Sequence, residues 1–201
     1  MVAAKAHRPR KPEKVLDRRP GSVLFVQGGG KGVHDSWDNK LVASLRNALG
    51  RRYTIRYPRM PNEANPDPAA WKKAIDRELR KLGDGVILVG HSVGAAVLVD
   101  HLADGAWPAK PAAVFLVATP FIGDGGWPSG DLRPTKAVGA ALSDGAPIYF
   151  YQGRADETVP SSHVDLLAQA FPRATLRVLE GRNHQLDDDL SELARDIRSL
   201  G

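Results

Sequence analysis

From residue 22 onward, short apolar runs alternate with longer segments whose apolar residues recur at helical spacing. The short runs end at glycine or turn residues, which indicates buried strands; they cover residues 22–27, 53–57, 85–90, 112–119, 147–153 and 174–180. The longer segments are typical of amphipathic helices and cover residues 34–50, 67–83, 93–103, 161–171 and 187–200. This alternation predicts an α/β domain, with a doubly wound and mainly parallel sheet of about six strands.

The segment 34–50 is the first predicted helix. Its apolar residues recur every four positions, at Trp37, Leu41, Leu45 and Leu49. This spacing predicts one helix over the whole segment. Asp35 stands where a side chain would cap the start of the helix, and Gly50 stands where a glycine would end it.

The chain has 201 residues, of which 42% are hydrophobic and none is cysteine. This length predicts one domain with a full core. The lack of cysteine excludes disulfides, thiolate zinc sites and cysteine nucleophiles. No apolar stretch reaches the ~18 residues of a membrane span. The first residues also lack a signal-peptide pattern, so we expect a cytoplasmic protein with no membrane partner.

The net charge of +5 is concentrated at the start of the chain. Residues 1–20 hold seven of the 28 Lys and Arg residues but two of the 23 Asp and Glu residues, which leaves 21 of each sign elsewhere. This segment is rich in proline and poor in bulky apolar residues, which predicts a disordered basic tail over 1–20 and a domain over 21–201. A nucleic-acid arm or a transit peptide is the alternative for the tail. The balanced charge of the domain argues against nucleic-acid binding by it.

The sequence Gly90-His91-Ser92-Val93-Gly94 is a G-x-S-x-G motif between a predicted strand and a predicted helix. In that context the motif forms a sharp turn that holds the serine in a strained conformation with its hydroxyl projecting. Glycines on either side let the helix pack close to the strand. Ser92 also stands at a helix N-terminus, where developing negative charge is stabilised. We therefore predict that Ser92 is a nucleophile.

A serine nucleophile needs a base, and the base needs an acid that orients it. Asp156 follows the fifth strand in "FYQGRADETVP", and His184 follows the sixth in "VLEGRNHQL". Both loops leave the same edge of the sheet as Ser92, so the three side chains are expected to converge. The aspartates that could replace Asp156 are Asp124, Asp131 and Asp144. The histidines that fit the base role less well are His7 in the tail, His91 beside the serine, His101 within a helix and His163 at a helix start.

Two backbone N–H groups should bind the oxyanion that forms during attack on a carbonyl. One is that of Val93, directly after the nucleophile. The other is expected from "QGGGKGVHDSW" after the first strand, where glycines let the backbone turn inward, and Gly29 is the predicted donor. The same glycines resemble a phosphate-binding loop, but neither common phosphate-loop spacing is complete.

The motifs "FVQGGG", "GHSVG", "GRADETVP" and "GRNHQ" stand in the order found in α/β-hydrolases, and the chain resembles that superfamily over about residues 22–200. The stretch "YPRMPNEANPDPAAWKKAI" is similar to the small retinoblastoma-binding-protein-like serine hydrolases and their bacterial relatives. The resemblance implies a nearly capless serine hydrolase. Two positions depart from the superfamily pattern. Gln27-Gly28 replaces the usual His-Gly of the oxyanion loop, and Gln185 replaces the aromatic residue that often follows the catalytic histidine.

The segment 120–146 occupies the position where many such enzymes insert a lid, but it is short and rich in glycine and proline. We therefore expect an open, shallow site that suits small carboxylic esters, with thioesters and amides as further candidates. The predicted wall residues are Met60, Phe121, Ile122 and Trp127. No cofactor is expected, and Asp187 to Asp189 are interpreted as carboxylates at a helix start rather than as a metal site. A protein-binding module with a residual triad and perhydrolase-type chemistry are the alternative functions; the pattern carries no signal for an oligomeric state.

Overall fold

The computed structural model describes residues 21–141 and 145–200, so the basic tail and Asp144 lie outside the described residues. Six strands form one sheet in the order β2-β1-β3-β4-β5-β6, and all neighbouring strands are parallel. Their bounds are Gly21–Val26 (β1), Tyr53–Arg56 (β2), Val86–His91 (β3), Pro111–Val117 (β4), Ile148–Gly153 (β5) and Thr175–Leu179 (β6). The predicted α/β class and parallel sheet are confirmed.

The described residues contain seven α-helices, which cover both faces of the sheet. They are Val33–Ser36 (α1), Asp38–Leu49 (α2), Pro68–Leu82 (α3), Val93–Leu102 (α4), Thr135–Ala141 (α5), His163–Ala170 (α6) and Ser191–Ser199 (α7). Helices α3 to α6 share one core with Leu24 and Leu88, whereas α2 and α7 share the other with Val23 and Val89. Because successive strand residues point to opposite faces, each central strand supplies both cores. Among the described residues, no helix combines the length and apolarity needed to cross a membrane.

The strand order opens a crevice at one edge of the sheet. After β1 the chain moves outward to β2, and it then returns to the other side of β1 to form β3. The connections that follow β1 and β3 therefore leave the sheet in opposite directions. Ligands of open α/β sheets bind in the crevice between two such connections. Gly28 and Gly29 after β1 and Ser92 after β3 line a cleft at this place.

The first predicted helix is broken at Trp37, so the prediction of one continuous helix over 34–50 is wrong. Helix α1 ends at Ser36, Trp37 has φ −123° and ψ −67°, and α2 begins at Asp38. The break turns Trp37 outward, where 53% of its surface is exposed. The predicted Asp35 cap is also wrong, because the Asp35 carboxylate binds His34 Nδ1 (2.7 Å) and Arg59 instead. Gly50 does end α2, and its N–H donates to the Arg46 carbonyl.

Two other segments differ from the sequence interpretation. The stretch after β4, interpreted as irregular, contains the short helix α5, packed against α4 and α6 rather than placed over the crevice. Asp187 and Asp188 do not start a helix, because both have left-handed φ values of 54° and 57° within a tight turn, and α7 begins at Ser191. Asp189 Oδ1 accepts the N–H of Ser191 (2.9 Å) and so supports the start of α7.

Helix α4 packs against β1 and β3 so closely that only glycine fits at two positions. A Cβ atom on Gly94 would lie 2.1 Å from the Gln27 carbonyl oxygen, and one on Gly90 would lie 2.8 Å from the Ala95 Cα atom. Both distances are far below van der Waals contact. The two glycines of the G-x-S-x-G motif are thus required by the approach of the helix to the sheet, in agreement with the sequence interpretation.

We predict that Gly94→Ala lowers the free energy of unfolding by about 1–3 kcal/mol, as overpacking of a rigid core does. The added methyl group would meet backbone atoms, which cannot move aside as a flexible side chain can. Urea unfolding followed by circular dichroism measures the loss. Gly145→Ala is the matched control, since a Cβ atom at Gly145 meets nothing within 4 Å. Equal unfolding midpoints for both variants would contradict this account of Gly94.

Candidate active site

Ser92 occupies the turn between β3 and α4 in a strained backbone conformation. Its φ and ψ are 51° and −123°, a region that L-residues rarely adopt. The turn is held from both sides, because the Ser92 N–H donates to the Val117 carbonyl and its carbonyl accepts the N–H of Ala96. This conformation puts the hydroxyl at the start of α4, with only 6% of the residue exposed.

The Ser92 hydroxyl is the first member of a hydrogen-bonded chain. Ser92 Oγ lies 3.1 Å from His184 Nε2, and His184 Nδ1 lies 2.9 and 3.0 Å from the two Asp156 oxygens. An ionised carboxylate only accepts hydrogen bonds, so the neutral imidazole carries its proton on Nδ1. The lone pair then lies on Nε2, which faces the serine, as a general base for that hydroxyl requires.

Asp156 is held rigidly by the loop in which it stands. Oδ1 accepts the backbone N–H groups of Thr158 and Val159 (both 2.8 Å), and Oδ2 accepts Gln152 Nε2 (2.8 Å). Burial alone would raise the pKa of Asp156, but the hydrogen bonds from His184 and the two amides outweigh it and lower that pKa. The carboxylate therefore stays ionised while it orients the imidazole.

The alternative acids and bases lie elsewhere. Asp124 and Asp131 are exposed, while Asp144 and His7 lie outside the described residues. His163 Nδ1 accepts the Phe121 N–H (3.0 Å), and His101 binds Asp76 and Asp104 on the far side of α4. Among the described histidines, only His184 reaches the Ser92 hydroxyl. The structure thus brings together the three residues singled out from the sequence.

Gly29 and Val93 line the cleft beside Ser92. They lie against each other, because a Cβ atom on Gly29 would lie 3.2 Å from Val93 Cγ2. Val93 is the first residue of α4, so its N–H has no partner within the helix. Neither N–H donates a hydrogen bond to any described residue, whereas those of Gly28 and Gly30 bind Asp38 Oδ2 (2.7 Å) and the Glu63 carbonyl (2.6 Å). The two predicted oxyanion donors are therefore free at the cleft.

Two residues that the sequence analysis did not assign hold the glycine-rich loop. The Glu63 carboxylate accepts the N–H groups of Gly32 (3.1 Å) and His34 (3.2 Å), and buried Gln27 donates to it (2.6 Å). Burial would raise the pKa of Glu63, but these hydrogen bonds outweigh it and lower that pKa. Gln27 could have been found from the sequence, because Gln27-Gly28 stands where the superfamily usually has His-Gly. No pattern in the sequence indicates the role of Glu63.

The cleft has a volume of about 570 Å³ and opens to solvent. It is lined by Gly28, Gly29, Val33, Trp37, His91, Ser92, Val93, Trp127, Glu157, Thr158, Asn183, His184 and Gln185. Trp127 thus lies where the sequence analysis placed it, and exposed Trp37 joins it there. Met60, Phe121 and Ile122 are not among the lining residues, and at most 5% of each is exposed. The prediction that these three residues form walls of the site is therefore wrong, and they lie in the protein interior instead.

A family model described as "Alpha/beta hydrolase family" matches residues 23–199, which is most of the chain. No curated protein matches the sequence. The family match agrees with the superfamily resemblance inferred from the motifs. The closer resemblance to retinoblastoma-binding-protein-like hydrolases stays a prediction.

Several solved structures share the fold. An esterase domain from a Rhodothermus marinus protein has 19% identity and a TM-score of 0.65, with 92% of this chain and 90% of that chain covered. An α/β serine hydrolase without a lid from Xanthomonas campestris has 22% identity and a TM-score of 0.63, with 94% and 84% covered. The ydeN gene product from B. subtilis has 17% identity and a TM-score of 0.70, with 90% and 98% covered. At these identities the likeness shows the fold.

We predict that Asp156→Asn lowers the free energy of unfolding at neutral pH by about 1–3 kcal/mol, because a buried acceptor of two amides is weakened. The lowered pKa of Asp156 means that its ionised form stabilises the folded state above the unfolded pKa of about 3.9. That contribution disappears as the pH falls through the lower folded pKa. The gap between wild type and variant should therefore shrink in acid.

Urea unfolding at neutral pH and near pH 3 measures both gaps. Asp124→Asn is the control, since Asp124 is exposed and such a change usually alters stability by less than ~0.5 kcal/mol at either pH. A gap for Asp156→Asn that stays constant or widens in acid would contradict the expected role of the ionised carboxylate.

Proposed function

The chain belongs to the alpha/beta hydrolase family, and we propose that it is a serine hydrolase that cleaves small carboxylic esters through an acyl-enzyme. The observation that carries this proposal is the continuous chain from Ser92 Oγ through His184 to Asp156, which ends at an open cleft with two free amide N–H groups. An inert turn serine has no need of an oriented base. A serine that attacks carbonyl groups needs both the base and the donors.

In the acylation half-reaction, Ser92 Oγ attacks the ester carbonyl carbon while His184 Nε2 takes the hydroxyl proton. The carbonyl oxygen becomes an oxyanion, which accepts the N–H groups of Gly29 and Val93 and is further stabilised by the N-terminus of α4. Asp156 does not take up a proton; it stabilises the imidazolium that has formed. The intermediate then expels the alcohol, which leaves with the proton from His184.

In the second half-reaction, a water molecule attacks the Ser92 acyl group and gives its proton to His184 Nε2. The same two amides bind the second oxyanion. Collapse returns the proton to Ser92 Oγ and releases the carboxylic acid. Because the cleft is open to solvent at Ser92, water reaches the acyl-enzyme without any movement of a lid.

The cleft favours small neutral esters. Trp37 and Trp127 provide aromatic surface, and Val33 provides aliphatic surface, next to the nucleophile. Glu157, an exposed carboxylate, also lines the cleft and disfavours anionic substrates by repulsion. No long apolar groove continues from Ser92 among the lining residues. Thioesters and amides of similar size fit the same chemistry. The preference for esters is supported by the esterase domain of similar fold, and the open site by the serine hydrolase without a lid.

We predict rapid stoichiometric labelling of Ser92 by a fluorophosphonate, in which the serine oxygen binds phosphorus and fluoride leaves. Ser92→Ala and His184→Ala should abolish labelling, since one removes the nucleophile and the other its base. Asp156→Asn should slow it by orders of magnitude, because the wrong tautomer is then favoured; the corresponding change in a serine protease costs about 10⁴ in kcat. Mass spectrometry of the labelled peptide and the labelling rate are the measurements.

Ser129→Ala, in the loop after β4, is the control that should keep the wild-type labelling rate. If folded wild-type protein does not label, the serine hydrolase proposal fails and a protein-binding role takes its place. Full-rate labelling of Asp156→Asn would instead assign the acid role to another residue.

A series of aryl esters with increasing acyl length tests the substrate class. We predict the highest kcat/KM at about C2–C6, because longer chains stay in water and do not gain the ~0.8 kcal/mol that each buried methylene contributes. No activation at a lipid interface is expected. A kcat/KM that rises steadily to about C12 would contradict the open cleft, since each added methylene would then be buried.

A further inference from the structure

Directly beside Ser92, a second histidine and a second aspartate are buried together. His91 is 1% exposed and Asp38 is fully buried. His91 Nδ1 lies 2.9 and 3.1 Å from the two Asp38 oxygens, while His91 Nε2 lies 3.1 Å from the backbone carbonyl oxygen of His184. The proposed reaction uses neither side chain directly.

The hydrogen-bond partners determine the protonation state of His91. A carbonyl oxygen only accepts hydrogen bonds, so Nε2 must carry a proton. Asp38 accepts the N–H of Gly28 at Oδ2 (2.7 Å) and Gln185 Nε2 at Oδ1 (3.3 Å), which favours an ionised carboxylate that also accepts from Nδ1. Both ring nitrogens therefore carry protons, and His91 is an imidazolium paired with Asp38.

The groups around the ring agree with this assignment. Burial alone would lower the pKa of His91, but the charge and hydrogen bond of Asp38 outweigh it, with smaller contributions from the His184 carbonyl and Asp156, and the pKa is raised. The pKa of Asp38 is lowered despite its burial, chiefly by the charge of His91. The ring of His184 is also close, with its centre 4.9 Å from that of His91.

The ion pair connects the glycine-rich loop, the turn at Ser92 and the His184 loop. Asp38, at the start of α2, holds Gly28, which is next to the oxyanion donor Gly29. His91, at the end of β3, holds the backbone of His184. Leu186 and Asp187, which follow in the same loop, both have positive φ, so no strand or α-helix sets the path of the described backbone there.

We propose that Asp38 and His91 form a positioning pair that fixes the backbone of His184 relative to Ser92 and the oxyanion loop. This inference rests on the proposed function for its effect on rate, but the structural part stands on the hydrogen bonds alone. His91 also lines the cleft, but its ring nitrogens bind Asp38 and the His184 carbonyl and not the Ser92 hydroxyl. Through the His184 backbone it sets the distance between His184 Nε2 and Ser92 Oγ. A displacement of the base by about 1 Å costs about 10²-fold in rate.

Two variants of His91 separate its two contacts. Asparagine places an amide near the Nδ1 position, so His91→Asn keeps the Asp38 contact and loses the His184 carbonyl. Glutamine reaches the Nε2 position, so His91→Gln keeps the donor to that carbonyl. We expect His91→Asn to lower kcat and the fluorophosphonate labelling rate by about 10²-fold, with KM little changed. His91→Gln should lose less than about tenfold, as one weakened hydrogen bond does.

His101→Asn is the matched control. Like His91, His101 is buried and binds carboxylates, here those of Asp76 (2.8 Å) and Asp104 (3.0 Å). It stands in α4 and does not line the cleft. It should lose stability without loss of kcat. Equal kcat losses in His91→Asn and His91→Gln, an unchanged kcat in His91→Asn, or an equal kcat loss in His101→Asn would overturn the proposal.

Two measurements do not depend on catalysis. In protein with isotope-labelled histidine, the ring nitrogens of His91, assigned by their disappearance in His91→Asn, should both be protonated at about pH 7. Amide hydrogen exchange over residues 183–186 should be faster in His91→Asn than in His91→Gln. A singly protonated His91 ring or equal exchange in both variants overturns the positioning pair, whereas a failure of wild-type labelling overturns only the proposed function.

Discussion

The approach of helix α4 to strand β1 determines the geometry of the whole site. The contact between Gly94 and the Gln27 carbonyl leaves no room for a Cβ atom, so the helix starts directly beside the end of the strand. This contact bends the chain sharply at Ser92, whose φ of 51° would be unfavourable in an unconstrained loop. It also places Val93 against Gly29, where both residues line the cleft. The proposed nucleophile and the proposed oxyanion donors thus depend on one packing contact, which the surrounding core makes rigid.

The remaining parts of the site are loops, and each loop is held by a carboxylate, which is buried for Asp156 and Asp38 and partly exposed for Glu63. Asp156 accepts two amides of its own loop and orients His184, Asp38 accepts Gly28 and binds His91, and Glu63 accepts two amides of the glycine-rich loop. Loop amides lack the partners that helices and sheets provide, and a buried N–H without an acceptor is costly. A carboxylate can accept several such groups at once. Two of these carboxylates, Asp38 and Asp156, also bind the rings of His91 and His184.

The two His–Asp pairs have different functions in the proposed reaction. Asp156 faces the ring of His184 and selects the tautomer with its lone pair towards Ser92. Asp38 acts at one remove, through the ring of His91 and the backbone of His184. The first pair sets the chemistry of the base and the second sets its location. A base with the correct tautomer would still be slow if its backbone moved, because proton transfer requires close approach of the two heavy atoms.

The fold class, the strand–turn–helix around Ser92 and the order of Ser92, Asp156 and His184 could be predicted from the residues along the chain, because these depend on local periodicity and on the shared carboxyl edge of parallel strands. It also pointed to Gly29 and Val93, since their backbone roles need little more than position along the chain. The folded chain was needed to show that Trp37 lies outside the helices and lines the cleft, and that Met60, Phe121 and Ile122 face the interior. An apolar side chain has the same local pattern whether it lines a cleft or a core. The same holds for Asp38, His91 and Glu63, whose contacts join residues far apart in the chain; the distances that define those contacts exist only after the sheet has brought its loops together.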